Sequence, residues 1–172
     1  MTDAERTDAE RKAFVRRQID EMWNKGNLDF AEEGFTPDYV SHDPASPEEV
    51  RGPDGFKQNV AEVRAAFPDF HVKIVDQAAD GDKVVTRYTT TGTQKGELAG
   101  IPPTGKRVEV AGMGIDYFSG GKIAESWEYY DVLGMMQQMG VAAIPGPRLL
   151  ARMLVHQAKK SLSRVSEARR RK

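Results

Sequence analysis

The sequence predicts an α+β fold in which N-terminal helices close a cone-shaped cup made by a curved antiparallel β-sheet. Three observations predict it. Apolar residues recur at helical spacing up to Phe67, they alternate at a period of two from Phe70 to Tyr130, and two glycine-bearing turns fold the alternating region into hairpins. Helices placed ahead of an antiparallel sheet define the class. A long sheet with helices on one side curls around them and leaves a hollow for a small molecule.

The elements follow in order. Thr2-Asp-Ala-Glu-Arg6 is repeated at once as Thr7-Asp-Ala-Glu-Arg11, and each copy reads as a capping box, with a hydroxyl at the N-cap and Glu three residues on. The second copy is the expected helix start, because Val15, Ile19, Met22 and Trp23 follow it at helical spacing. Gly26 stops that helix, and Asn27 is placed to cap a short second one over residues 28–33. A third helix is expected from Pro53, whose missing N–H costs little at a helix start, to just before Pro68. Phe56, Val60, Val63 and Phe67 form its apolar stripe.

Residues 70–79 and 83–94 read as strands joined at Asp80-Gly81-Asp82. Gly100-Ile-Pro-Pro-Thr-Gly-Lys106 is a turn-rich loop, since consecutive prolines cannot donate to a ladder. Residues 107–118 and 122–130 form a second hairpin about Ser119-Gly120-Gly121, and a short helix over 132–139 is stopped by Gly140. Ile144-Pro-Gly-Pro147 reads as a linker, beyond which Leu150, Met153, Leu154, Leu162 and Val165 mark one face of an extra, basic amphipathic helix. The chain thus divides into an α+β domain, residues 1–140, and a basic helical extension, residues 141–172.

Composition narrows the chemistry. The 172 residues are 39% hydrophobic and 30% charged, as expected of one globular domain. There is no cysteine, which excludes disulfides, thiolate metal sites and cysteine nucleophiles. His42, His71 and His156 lie far apart, so no metal site is expected. The net charge of -1 hides a contrast: residues 147–172 hold nine basic residues and one acid, and the rest of the chain is acidic. Packing or a lid is the favoured role of that tail, and nucleic acid is not an expected partner, because the basic run lacks interleaved aromatics. Residues 1–11 are polar and no stretch approaches the roughly 20 apolar residues of a membrane span, so no membrane partner and a cytoplasmic location are expected. A phosphate-binding glycine loop, a Gly-x-Ser-x-Gly elbow and an HExxH helix are all missing, so the expected chemistry needs no cofactor.

The last hairpin is the most informative segment. Pairing about its turn sets Met113 opposite Trp127, Ile115 opposite Glu125 and Tyr117 opposite Ile123, with Gly112, Gly114 and Asp116 opposite Glu128, Ser126 and Ala124. Alternation then gives one bulky face (Met113, Ile115, Tyr117, Ile123, Trp127, Tyr129) and one nearly bare face, where Glu128 stands among Gly112, Gly114, Ala124 and Ser126. Either helix side chains or a ligand must fill the space over the glycines. If a ligand does, Glu128 is a general base and acid for proton transfer alpha to a carbonyl, its pKa raised by an apolar setting. Otherwise it is an edge carboxylate, solvated or paired with Arg87.

His42 and Asp131 complete the candidate catalytic set, with a loop histidine and a helix N-cap as their alternative readings. Trp23, Tyr39, Phe56 and Phe67 are core residues that would also line a pocket for an apolar ring system. Arg87, Gly114, Ser126 and Tyr130 join them as candidate substrate-binding residues.

Several segments, in order, resemble the SnoaL-like polyketide cyclases of the nuclear transport factor 2-like superfamily. They are Gly26-Asn-Leu-Asp29, Tyr39-Val-Ser-His42, Gly52-Pro-Asp-Gly55, Ala66-Phe-Pro-Asp69, Gly81-Asp-Lys-Val-Val85, Gly100-Ile-Pro-Pro-Thr-Gly-Lys106, Gly121-Lys-Ile123, Glu125-Ser-Trp127, and Asp131 through Gly140. The resemblance implies a curved sheet, helices closing a pocket, a homodimer, and cofactor-independent acid–base catalysis of an intramolecular aldol ring closure. It places the family's catalytic aspartate at Glu128 and an assisting histidine at Gly114.

Three functions therefore stand open. The first is an acid–base cyclase or isomerase acting on an apolar carbonyl compound such as a polyketide. The second is a non-catalytic ligand-binding or dimerisation module of the same fold. The third is an epoxide-hydrolase-like site in which Glu128, Arg87 and Asp131 activate water.

Overall fold

A computed structural model of the chain describes residues 7–46 and 48–141. The first Thr-Asp-Ala-Glu-Arg copy, the linker after Gly140 and the basic amphipathic helix lie outside the described residues.

The second repeat makes its capping box: Glu10 N–H donates to Thr7 Oγ1 at 3.3 Å, and Thr7 N–H donates to Glu10 Oε2 at 2.7 Å. Helix α1 (Asp8–Gln18) runs on into a π-helical turn (Ile19–Asn24), and Gly26 ends it at φ 75°. Helix α2 (Phe30–Gly34) follows with Asp29, not Asn27, at its N-cap, because the Asn27 amide is engaged with Glu21. Helix α3 (Gly52–Ala66) carries Pro53 in its first turn as expected and buries Phe56 and Val60.

Strand β1 (Phe35–His42) departs from the predicted loop. Pro37 and Asp38 interrupt its pattern and read as turn residues. The sheet accommodates them because the β1 ladder is irregular between Phe35 and Val40, where Pro37 has no donor role to fill. A two-residue strand β2 (Val50–Arg51) pairs with its edge. Strands β3 (His71–Asp80), β4 (Lys83–Thr93), β5 (Arg107–Ser119) and β6 (Lys122–Tyr130) form the two predicted hairpins, and α4 (Val132–Met139) ends at Gly140, φ 81°. The six strands lie in the order β2-β1-β6-β5-β4-β3. Since β1 runs parallel to β6, the curved sheet is mixed and not wholly antiparallel.

The β5–β6 register also differs from the expected one. Gly120 and Gly121, both at positive φ, make a two-residue turn closed by Ser119 and Lys122. A bulge then leaves Ala124 without a partner, so Gly114 lies opposite Glu128, Asp116 opposite Ser126 and Ile115 opposite Trp127. The slip of two residues preserves the faces. The bulge reverses only Ile123, which packs in the core beside Phe118 instead of on the outer face.

Helices α1 to α3 and the π-helical turn pack on the inner face through Phe14, Val15, Met22, Phe30 and Val60, in one cluster with Val84 of β4. A second cluster of Phe67, Val108, Val110 and Met139 holds α4 and the end of α3. Among the described residues no helix is long and apolar enough to cross a membrane.

Candidate active site

A cavity of about 240 Å³ lies between the inner sheet face and the helices. Alternation fixes which strand residues reach it: Tyr39 and Ser41 from β1, Thr86 and Tyr88 from β4, Gly114 and Asp116 from β5, and Ser126, Glu128 and Tyr130 from β6. Helical residues Ile19, Trp23, Phe56 and Phe67 close the other side, with Met135 and Leu98 at one end. Asp43, Ser46, Glu48 and Asn59 add polar atoms to the wall.

Glu128 is the centre of this arrangement. Tyr88 Oη donates to its Oε2 at 2.6 Å. A β-carbon built on Gly114 would stand 2.6 Å from its Oε1, and one built on Gly112 would stand 2.5 Å from the Tyr88 ring. The two glycines are therefore bare because a neighbouring ring and carboxyl lie over them. That corrects the expectation that only helices or a ligand could fill the space. Burial, reinforced by the negative charge of Asp116, pushes the Glu128 carboxyl up to about 8; the Tyr88 hydrogen bond pulls the other way.

Asp116 is the second buried acid. Ser126 Oγ donates to its Oδ1 at 2.6 Å, and burial pushes its carboxyl up to about 6. Tyr39 is 1% exposed, with its hydroxyl near Ser41 and Ser126 but without a well-formed hydrogen bond. Tyr130 Oη donates to Asp43 Oδ2 at 3.1 Å on the cavity wall. The described lining contains four carboxylic acids and no lysine, arginine or histidine.

Glu128, Trp23, Tyr39, Phe56, Phe67, Gly114, Ser126 and Tyr130 thus meet at one cavity. Three predicted residues do not reach it. His42 faces the outer side of the sheet, stacked on Trp127 at 4.2 Å with its ring nitrogens 3.0 Å from Glu49 and 3.3 Å from Glu125. Its place in β1 decides this, since Tyr39 and Ser41 take the inward positions. Arg87 is exposed on the outer face of β4, between the inward residues Thr86 and Tyr88. Asp131 caps α4, accepting from Gly134 N–H at 2.8 Å. The water-activating trio of Glu128, Arg87 and Asp131 is therefore not assembled.

Asp116, Tyr88 and Asp43 were missing from the candidates. Asp116 shares the parity of Gly112 and Gly114, and that alternation was the available signal. Tyr88 carries the matching parity on β4, but only the three-dimensional pairing of Tyr88 with Gly112 places it by Glu128.

The chain matches the family model of the SnoaL-like polyketide cyclase over residues 13–139. It is 29% identical over 133 residues to the aklanonic acid methyl ester cyclase of Streptomyces galilaeus, covering 77% of this chain and 92% of that protein. It is 31% identical over 121 residues to the nogalonic acid methyl ester cyclase of Streptomyces nogalater, covering 69% and 89%. A solved structure described as a SnoaL-like polyketide cyclase, from Jannaschia sp. CCS1, superposes with a TM-score of 0.72 at 27% identity, over 83% of this chain and 99% of that one.

Proposed function

The chain belongs to the SnoaL-like polyketide cyclase family, and on that premise we propose that it is a cofactor-independent acid–base enzyme that closes a ring in an uncharged, apolar carbonyl compound of polyketide type. One observation carries the reading: a cavity-facing carboxyl, Glu128, is held by a tyrosine hydroxyl and raised toward neutrality by burial. A carboxyl in that range can both accept and return a proton near pH 7.

In this mechanism the apolar wall of Trp23, Phe56 and Phe67 takes the ring system and excludes water. Glu128 removes a proton alpha to a carbonyl. The enolate attacks a second carbonyl of the same molecule, forming the ring bond, and the new alkoxide is protonated. Tyr88 orients the carboxyl through Oε2. The methyl esters named for the two curated relatives are the first substrates to test.

The decisive experiment is Glu128→Gln, assayed with aklanonic acid methyl ester. Loss of turnover by about 100-fold or more with nearly unchanged ester affinity is expected for removal of an acid–base group. Full turnover by the variant removes the mechanism. Wild-type protein that binds the ester without turning it over would instead be a ligand-binding module.

The proposal includes a cytoplasmic location and, as the resemblance implies, a homodimer. Met113 and Tyr129, 44% and 53% exposed, lie opposite each other on the outer face of β5 and β6 and would be covered by a second copy. A monomeric mass in light scattering at micromolar concentration would remove that part.

A further inference from the structure

We infer that Asp116 is a second proton-transfer group of this cavity, so that one carboxyl takes the proton from carbon while the other gives a proton to the acceptor oxygen. The inference rests on the acid–base reading of Glu128 and extends it to a residue that neither periodicity nor resemblance singled out.

The register puts the two acids on one face. Asp116 pairs with Ser126 and Glu128 with Gly114, which makes the two acids diagonal neighbours across β5 and β6, a spacing of roughly 7–8 Å in such ladders. Both line the cavity. Each carboxyl has one oxygen held by a hydroxyl: Tyr88 donates to Glu128 Oε2 and Ser126 to Asp116 Oδ1. Glu128 Oε1 and Asp116 Oδ2 have no hydrogen bond among the described residues.

A purely structural buried aspartate is ordinarily saturated by backbone N–H groups or paired with a cation. Among the described residues Asp116 has neither, although it is only 9% exposed. Asp116 lines the cavity, and Tyr39 beside it has a buried hydroxyl with no hydrogen-bond partner among the described residues. Two acids facing one cavity resist double ionisation, and their displaced titrations, about 6 and about 8, leave a single proton on the pair in the neutral range.

One proton on two carboxyls matches the need of an aldol closure. The ionised carboxyl accepts the C–H proton, and the C–H electron pair passes through the enolate into the new C–C bond. The acceptor carbonyl's π pair moves onto its oxygen, which takes the proton of the other carboxyl. Protons and electrons balance without a further reactant. The two carboxyls end with their roles exchanged, and one proton transfer resets them.

The test compares Asp116→Asn with Glu128→Gln in the full chain, using aklanonic acid methyl ester. Asp116→Asn is expected to lower kcat by about 100-fold or more while leaving ester affinity within about threefold. Carbon-13 NMR titration of labelled carboxyls, read without substrate, should show the Glu128 titration moving to lower pH once its anionic neighbour is gone. If Asp116→Asn keeps wild-type turnover and pH profile while Glu128→Gln is inactive, the inference is overturned and the Glu128 mechanism stands. If both variants are active, both fall. Should Asp116→Asn fail to fold, Ser126→Ala decides: loss of the Ser126 hydrogen bond must move the acidic limb of kcat to higher pH, and an unmoved limb overturns the inference.

Discussion

The carboxyl of Glu128 lies over the α-carbon of Gly114, so closely that a β-carbon added there would stand 2.6 Å from Oε1. A side chain at 114 and the Glu128 carboxyl in its present position exclude each other. The resemblance implies an assisting histidine at position 114 and an aspartate at position 128. On that implied pattern, the Glu128 carboxyl lies where the imidazole would begin, so the two positions would depart from it together. Gly114→Ala should keep the fold, since a side-chain end can move, but should push Glu128 off Tyr88 and lower kcat by about 100-fold, the usual effect of a misplacement near 1 Å. Adding Glu128→Asp to Gly114→Ala shortens the acid and should recover part of that loss. Steady-state kinetics on both variants, with urea denaturation as the check on folding, measures the coupling.

Tyr88→Phe tests the other contact of the same carboxyl. The Tyr88 hydroxyl stabilises the ionised form of Glu128 and so opposes the effect of burial. Its removal should raise the Glu128 pKa further and, since the reactive form carries one proton on the Glu128–Asp116 pair and Glu128 is the last to lose it, move the alkaline limb of the pH–kcat profile to higher pH. The ring still fills the space over Gly112, so the fold is expected to be retained. An alkaline limb that does not move would show that Glu128 does not govern it.

The hairpins, two of the three N-terminal helix starts and the bare inner face were legible because each rests on local chemistry: the Thr7 box, Pro53, the Gly81 and Gly120-Gly121 turns, and alternation. Strand β1 was not, because Pro37 and Asp38 carry a turn signal that only a bulged pairing with a distant strand overrides. The same long-range fact decided His42. A loop residue can point anywhere, but in β1 the inward positions belong to Tyr39 and Ser41, and His42 turns to Trp127 on the outside. Asp116 was legible by parity alone. Its partner Ser126 was not, since the bulge at Ala124 sets which residue it meets. Alternation in the last hairpin, and the resemblance after it, pointed to Glu128; the resemblance held no information about a second acid.

Gln94 is fully buried, and its role is architectural. Its amide donates to the Ile101 and Pro102 carbonyls, both at 3.3 Å, and its Oε1 accepts from Thr104 N–H at 3.2 Å and Thr104 Oγ1 at 2.6 Å. The prolines of this loop give it few backbone donors, so one side chain replaces the missing ladder. Gln94→Ala leaves those groups unpaired and should cost about 2–4 kcal/mol of stability. Urea titration measures it, and limited proteolysis should find new cleavage between residues 98 and 106.

Burial of Glu128 also has a sign in stability. Its ordinary pKa is 4.5, and in the folded chain it is raised to about 8. Between those values the unfolded chain has released this proton while the folded chain retains it, so this group makes stability fall as pH rises across the interval and contributes no slope above it. Glu128→Gln removes the titration and can still accept the Tyr88 hydrogen bond. The variant should match wild type near pH 4 and exceed it near pH 9 by on the order of a few kcal/mol. Urea denaturation at both pH values checks this, and equal stabilities at pH 9 would mean that the carboxyl reaches water.

The cavity wall also dictates the charge of what enters. Asp43, Glu48, Asp116 and Glu128 line it, and no lysine, arginine or histidine among the described residues offers a counter-ion. A ligand carboxylate would be desolvated beside groups of its own sign, where both the Coulomb and the solvation terms oppose it. An ester of the same skeleton carries the same apolar surface with neither penalty. Aklanonic acid methyl ester should therefore bind at least about tenfold more tightly than aklanonic acid at pH 8, a difference of about 1.4 kcal/mol. The gap should narrow as the pH falls toward 5 and Asp116 and Glu128 take up protons. Titration followed by quenching of tryptophan fluorescence, with Trp23 on the cavity wall, reads both affinities. The Asp116→Asn and Glu128→Gln double variant should bind the free acid better than wild type does, because two of the repelling groups are then neutral at every pH; equal affinities of wild type for acid and ester at pH 8 would refute electrostatic selection at this site.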